Sequence, residues 1–506
     1  MAALALTATG IPVDNKVFAA DNCTVKTRYG TYNGFVDENG VRTWLGIPFA
    51  QPPVGKLRWQ APQPLQPSNK TVDAKKFGFK AVQFYEEEGV SQSPESEDCL
   101  TLNVWTRGTG KNKPVMFFIH GGAMAFESAS DPIYYGSKFA AANDVVLVSF
   151  DYRLNIFGFM NFTAIDSNFE DCGCLGLKDQ VAALQWVKEN ISAFGGNPDN
   201  ITIFGESAGS VSVMFLTVTP AAKGLFDKAI PQSGTLFLYN KPEQSAKLAE
   251  TFMSMCGAKT VGHLMKKSTD ELKAVYLQLT ESRGLSLMDY MPTCDGKFLP
   301  RDPGKALKDG AARDIKFLTG TTADEWRCFL LADENLFKIL RETPQTNSPV
   351  FAHCKASTPQ EVYQKWLNGR PDSDDTYGDF ATQLDWRVGQ ELTAEYQSKF
   401  NDVYFYLFSE NSPIELLRSC HAVDLPFTFN NADDLYPNPP QNLVRQVQTT
   451  WTAFATTGKP DNETIPRWER YTAGNRQTME LNSKGCALHK DLNTANLDAL
   501  RYVYES

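Results

Sequence analysis

The stretch Ile201–Ser210 reads ITIFGESAGS: four apolar or β-branched residues stop abruptly at Gly-Glu-Ser-Ala-Gly. A serine in G-x-S-x-G does chemistry when it tops a tight turn from a strand into a helix. The flanking glycines are needed there because larger side chains would clash with the crossing backbone. The flanks suit this, since Ile201–Phe204 reads as a buried strand and Ser210–Leu216 as the following helix. Ser207 would then be a nucleophile, provided that three partners exist: a base, an acid that orients the base, and N–H donors for the charge that develops on a carbonyl oxygen.

The search for the base is short, because the chain has five histidines. A Ser…acid…His order requires one far downstream. His353 lies in a helix-rich stretch and His489 in a polar segment near the C-terminus, whereas His421, in RSCHAVDLPFTFN, occupies a loop after the apolar run VYFYLF. The acid should also follow a strand, and FLTGTTADEWRCF offers both Asp324 and Glu325. One oxyanion donor is the N–H of Ala208, at the start of the helix after the nucleophile. Others come from FFIHGGAMAF, where Gly121, Gly122 and Ala123 let backbone approach a substrate closely. His120, directly before these donors, reads as structural, Glu206 as a packed neighbour of the nucleophile, and Asp424 as a hydrogen-bonding partner for the His421 loop. Such a site needs no cofactor and no metal.

These residues need a frame that brings chain ends of many strands together. LTLNVWT (Leu100–Thr106), PVMFFIH (Pro114–His120) and VVLVSFDYR (Val145–Arg153) read as strands, as do segments within KFLTGTTADEW and VYFYLFS. Gly176–Phe194 carries apolar residues at helical spacing. Strands alternating with helices predict an α/β fold, a mostly parallel sheet covered on both faces. The alternating segment Cys23–Val36 predicts a small antiparallel hairpin ahead of it, and the proline-dense IPFAQPPVGKLRWQAPQPLQP predicts irregular chain. Lys241–Arg313 and Leu331–Phe400 are helix-rich and read as a cap over the sheet. Residues 1–20 are set aside as an N-terminal extension or signal remnant, and 21–506 are read as one domain with cap insertions at about 241–313 and 331–400.

Composition narrows the function classes. The 506 residues are 42% hydrophobic and carry a net charge of −10, which leaves no basic face for nucleic acid or anionic lipid. No run of 18 apolar residues exists to span a bilayer. Ten cysteines without a C-x-x-C pair argue against zinc-ribbon and thioredoxin chemistry. Together with six N-x-S/T sequons (Asn22, Asn69, Asn161, Asn190, Asn200 and Asn462), the even cysteine number predicts a secreted, glycosylated and disulfide-bearing protein.

From about Thr24 to Trp468 the chain resembles the type-B carboxylesterases, the cholinesterase-like branch of the α/β-hydrolases that also holds fungal lipases. The landmarks are WLGIPFAQPPVGKLRWQAP, EDCLTLNVW, HGGA, DYRLNIFGF, GLKDQVAALQWVKENISAFGGNPDNITIFGESAGS, PQSG and CHAVDLPF. The resemblance implies an α/β-hydrolase fold with a central, mostly parallel mixed sheet, helices on both faces and a helical cap. It resolves the acid to Glu325, which here precedes Trp326 where the family usually has glycine. It assigns Ser207, Glu325 and His421 as the catalytic set and Gly122, Ala123 and Ala208 as the oxyanion donors, with Ala123 in place of the commonest third glycine.

The resemblance also implies hydrolysis of carboxylic esters through an acyl-enzyme, with small or medium soluble esters as substrates. Acyl transfer to another acceptor on the same triad, lipase action, and an inert adhesion role are the alternatives, in falling order. Two departures matter. The family's first disulfide ends at the cysteine of EDCL, but Ala81 occupies the partner position, so Cys23 becomes the expected partner of Cys99. The second would begin at Cys256, yet its partner position near GHLM holds His263, which leaves Cys294. A Cys328–Cys420 bridge would pin the loops of acid and base. In the lid region of lipase-like members, Glu86, Glu87, Glu88, Glu95, Glu97 and Asp98 crowd a segment ill suited to an oil surface, so no interfacial activation is expected. Met124, Phe126, Phe237 and Trp326 flank the motifs as candidate walls of an apolar pocket.

Overall fold

The computed structural model describes residues 23–83, 93–170, 172–283, 289–342, 358–492 and 494–505. Residues 1–20, Glu86 to Glu88, His353 and Cys354 lie outside the described residues.

The described residues open with a small sheet of β1 (Thr24–Thr27), β2 (Gly30–Asn33) and β5 (Thr71–Asp73), in which β1 and β2 form the expected antiparallel hairpin. The large sheet also contains β3 (Phe35–Val36), β4 (Val41–Pro48), β6 (Thr101–Arg107), β7 (Lys113–Ile119), β8 (Val146–Phe150), β9 (Gly196–Glu206), β10 (Lys228–Gln232), β11 (Lys316–Thr322), β12 (Val403–Phe408), β13 (Thr478–Leu481) and β14 (Ala487–His489). Its order is β14-β13-β12-β11-β10-β9-β7-β8-β6-β4-β3. Every pairing from β13 across to β8 is parallel, and the edge pairings are antiparallel.

A parallel sheet must be covered on both faces, so its strands are apolar in both directions. VLVSF and VYFYLF are buried along their whole lengths. Along β7, Val115, Phe117 and Ile119 enter the core on one side, and Met116 and Phe118 the core on the other. The helix Ala208–Val218 packs on β7, β9 and β10 from the first side, and the helix Gln441–Thr457 supplies Val444, Val447 and Trp451 to the second. The helix-rich stretches join the first core through Leu248, Phe252, Trp366, Phe380 and Leu384. Their last helix, Val388–Ser398, lies directly on β11 and β12, where Thr319 Oγ1 donates to Gln390 Oε1 at 2.7 Å.

Two departures from the sequence pattern bear on the site. The run Val145–Arg153 leaves the strand after Phe150, because its last residues are used as side-chain braces. Asp151 accepts the Ala129 N–H at 3.1 Å, and Arg153 pairs with buried Asp179 at 2.6 Å. A π-helical turn, Gln383–Arg387, precedes the helix Val388–Ser398 and is buried at Leu384, Asp385, Trp386 and Arg387.

Candidate active site

Parallel strands deliver their C-terminal ends to one edge of the sheet, which is where ligands bind in open α/β folds. β9 ends at Glu206, β11 at Thr322 and β12 at Phe408, and the candidate residues lie just beyond these ends. Ser207 is the single residue between β9 and the helix Ala208–Val218, with φ 56° and ψ −123°. This is a strained conformation for a residue with a side chain, of the kind retained at functional sites. The close crossing explains the glycines. A Cβ on Gly209 would lie 2.0 Å from the Ile119 carbonyl oxygen, and one on Gly205 would lie 2.6 Å from the same atom. Ser207 keeps partial exposure while Glu206 and Ala208 are buried.

The acid and base meet closely. His421 Nδ1 is 2.5 Å from Glu325 Oε2, and the His421 N–H donates to the Glu325 carbonyl at 3.2 Å. The other carboxylate oxygen of Glu325 accepts the Thr322 N–H at 2.8 Å, so the acid is fixed to the end of its own strand. Asp324, the rival acid, faces away: it pairs with Arg327 at 3.4 Å and Arg418 at 3.8 Å. The imidazole is flanked by Trp386, centroids 4.5 Å apart, and by Phe329 at 6.4 Å. Burial alone would lower the His421 pKa, but the carboxylates of Glu206 and Glu325 outweigh it and raise it above the ordinary histidine range.

Sequence reasoning missed the placement of Glu206. Its Oε1 is 3.1 Å from His421 Nε2, and burial pushes its carboxyl well above the usual range. Nothing in the sequence pointed to Trp386, which the π-helical turn delivers from a helical stretch about 35 residues away. Asp424 ties the His421 loop to β10, accepting from Gln232 Nε2 at 2.8 Å, and burial raises its pKa to about 6. His120 is buried and stacked on Tyr152, and burial lowers its pKa to about 3, so it is a neutral packing residue.

The turn after β7 lies beside Ser207. The point that a Gly121 Cβ would occupy is 3.3 Å from Ser207 Cβ and 3.2 Å from the Glu206 carbonyl oxygen. Gly122, Ala123 and Met124 follow with φ of 84°, 51° and 58°, a run of left-handed residues closed by Ala125 and Phe126 N–H bonds to the Gly122 carbonyl. Asn155, from the DYRLN motif, braces the turn from behind: its N–H donates to the Met124 carbonyl at 2.7 Å and its Nδ2 to the Ala125 carbonyl at 3.1 Å. Of the apolar candidates, Phe126 is partly exposed at this turn. Met124 is fully buried, Trp326 donates to Asp385 at 2.9 Å, and Phe237 packs on Tyr504.

The expected disulfides do not form, and all nine described cysteines are free thiols. Cys23 lies under Trp44, whose indole donates to its carbonyl, while Cys99 is surrounded by Asp179, Asp151 and Arg153. Cys294 neighbours Cys174 rather than Cys256, which has Lys267 and Glu271 about it. Cys328 and Cys420 are neighbours, both buried and both thiols, with burial pushing each well up. The acidic segment before Cys99 is anchored where it is described. Glu97 is buried in a bidentate pair with Arg58 at 2.6 and 2.7 Å, and Glu95 pairs with Lys273 at 2.6 Å. Among the described residues no helix is long and apolar enough to cross a membrane.

Comparison with known proteins fits this arrangement. Residues 21–500 match the model of the carboxylesterase family. The para-nitrobenzyl esterase of Bacillus subtilis (strain 168) is 37% identical over 91% of this chain and 95% of its own length. Human cocaine esterase is 32% identical over 88% of this chain and 84% of its own. The solved carboxylesterase of Geobacillus stearothermophilus superposes with a TM-score of 0.84 at 34% identity, covering 94% of this chain and all of its own. With the α/β-hydrolase sheet and the strand-end residues in place, the chain belongs to the carboxylesterase family, in its type-B branch.

Proposed function

We propose that Ser207, His421 and Glu325 carry the ester hydrolysis of this carboxylesterase, with the N–H groups of Gly122, Ala123 and Ala208 as oxyanion donors. The 2.5 Å contact between His421 and Glu325 is the observation that supports this reading most. Glu325 holds the proton of Nδ1 and so leaves Nε2 as the base. His421 takes the Ser207 proton as Oγ bonds to the acyl carbon, and the carbonyl electrons move onto the oxygen. That oxygen is held by the three N–H groups, whose individual loss typically costs ~10²–10³ in turnover. As the carbonyl re-forms, the C–O bond to the alcohol breaks and His421 returns the proton to the leaving oxygen. Water then repeats the sequence against the acyl-enzyme, releasing the acid and Ser207.

The substrates we infer are soluble esters of small or medium size. The para-nitrobenzyl esterase among the relatives supports an aromatic alcohol group, and partly exposed Phe126 beside the turn offers it an apolar surface. The anchoring of Glu95 and Glu97 supports turnover without an oil surface. Secretion rests on the sequons alone: Asn69 is exposed, while Asn161 and Asn190 are buried.

A chain-length series of p-nitrophenyl esters with the wild type and Ser207→Ala tests the reading. We expect a maximum at short or medium acyl chains, no jump above the solubility limit, and loss of turnover in the variant. Equal rates for the two proteins contradict it. Added alcohols that divert most of the product would instead favour acyl transfer.

A further inference from the structure

The turn that carries Gly122 and Ala123 needs an explanation for its own stability. Four of the six residues Gly122–Glu127 have positive φ, and Ala123, Met124 and Glu127 are not glycines. Such a conformation is strained for a residue with a side chain and persists only where the surroundings over-determine it. Asn155 holds the outer side. Toward Ser207 the segment presents Glu127, whose Oε2 and the Ser207 Cβ both approach the position of a Gly121 Cβ.

The carboxyl of Glu127 bridges the two ends of this segment. Its Oε2 accepts the Tyr134 hydroxyl at 2.6 Å. Oε2 lies 3.2 Å from the position of a Gly121 Cβ, the same point that Ser207 Cβ approaches to 3.3 Å. The carboxyl therefore fills the space that the glycine leaves open, next to the nucleophile. Tyr134 is a firm anchor, since its ring is buried against Phe118 and Phe429. The Glu127 main chain is held as well, its carbonyl accepting from Gln83 Nε2 at 3.2 Å. Ala123, Phe126, Glu127 and Ser207 are the partly exposed residues of this neighbourhood, while Gly121, Gly122, Met124, Ala125, Glu206 and Ala208 are buried.

We propose that Glu127 is a positioning residue for the oxyanion donors: its carboxyl, accepting from Tyr134 and packed against Gly121, fixes the Gly122–Ala123 backbone in the geometry that meets the tetrahedral intermediate. The inference rests on the assignment of Ser207 and the donors made above. The role needs an acceptor at Oε2, not a charge. Burial raises the Glu127 pKa to about 7, against the lowering effects of Tyr134, His421 and Gly121, so a neutral amide is a fair replacement near neutral pH.

The test measures three variants, Glu127→Gln, Glu127→Ala and Tyr134→Phe, for kcat and KM on a p-nitrophenyl ester. It also measures their affinity for a trifluoromethyl ketone, which adds to the serine and forms an oxyanion. Glu127→Ala is expected to lower kcat by about 10–100-fold with little change in KM, and to weaken the ketone in proportion. Tyr134→Phe, which removes the hydroxyl that Oε2 accepts and keeps the ring, is expected to fall between this and the wild type. Glu127→Gln, which keeps an acceptor oxygen, is expected to recover most of the loss. The proposal is overturned if ketone affinity stays at the wild-type level in Glu127→Ala and Tyr134→Phe, or if Glu127→Gln is as impaired as Glu127→Ala. Should Glu127→Ala fail to fold, the Tyr134→Phe and Glu127→Gln pair decides. Failure of the underlying assignment looks different: Ser207→Ala would then keep its turnover and the wild type would not capture the ketone.

Discussion

His421 Nε2 faces Glu206 Oε1 at 3.1 Å while its Nδ1 faces Glu325 Oε2 at 2.5 Å, so one imidazole is held between two buried carboxyl groups. The two are not equivalent. Glu325 is fixed by the Thr322 N–H, whereas Glu206 Oε1 finds no hydrogen bond of good geometry. Protons are therefore shared across a coupled set, and the pH profile of hydrolysis reports the set rather than a single residue.

The pH dependence follows with a definite sign. The base acts in its neutral form, so kcat/KM rises as pH climbs through the pKa of His421. Negative charge on Glu206 raises that pKa. Glu206→Gln removes the charge and is expected to move the acid limb of kcat/KM to lower pH. A limb unmoved in the variant would show that Glu206 carries no charge while the site titrates.

The two neighbouring acids Asp324 and Glu325 are expected to separate cleanly. Glu325→Gln should lower kcat by about 10²–10⁴-fold, since the amide no longer stabilises the imidazolium and favours the wrong tautomer. Asp324→Asn loses partly exposed ion pairs to Arg327 and Arg418, worth about 1 kcal/mol of stability. It should keep most of the activity. Steady-state kinetics with urea unfolding of both variants distinguishes the two roles.

The turn at Ser207 tolerates no side chain at Gly209. Gly209→Ala would place a Cβ 2.0 Å from a backbone oxygen, so it is expected to cost several kcal/mol or prevent folding. Gly40→Ala is a control, because Gly40 has φ +73° and no atom within 4 Å of its Cβ position. It should cost about 1 kcal/mol for the backbone conformation alone. Equal urea midpoints for the two variants would contradict the crossing.

The cysteines should titrate as thiols. Unfolded without reductant, the chain is expected to show at least nine groups reactive to Ellman's reagent, and folded to react slowly and first at half-buried Cys486. A count of eight or fewer would mean that one of the sequence-expected bridges forms after all.

The sheet and the motif residues were legible in the sequence because both rest on local rules. Doubly buried strands such as PVMFFIH and VYFYLF are continuous apolar runs, and glycines mark where backbones cross at Ser207. β10 was hidden because Pro231 interrupts KAIPQ, and proline ordinarily argues against an interior strand. The choice of Glu325 over Asp324 needed more than local pattern, since both follow the same strand. Trp386, Glu127 and the true neighbours of the cysteines were beyond reach. Their positions depend on how helices and loops distant in sequence pack against the strand ends, and spacing carries no record of that. The disulfide expectation missed for this reason: Cys174 Sγ lies 3.1 Å from the carbonyl of Thr293, next to Cys294, through tertiary packing, not through any pattern around Cys256.

The central claim is that Ser207 forms the acyl-enzyme, and covalent capture tests it most directly. The enzyme is treated with a p-nitrophenyl phosphonate, the released p-nitrophenolate is counted, and the labelled peptide is located by mass spectrometry. We expect one equivalent released, the label on the peptide carrying Ser207, and no label in Ser207→Ala. Stoichiometric labelling of another residue, or ester turnover that survives in Ser207→Ala, would contradict the account.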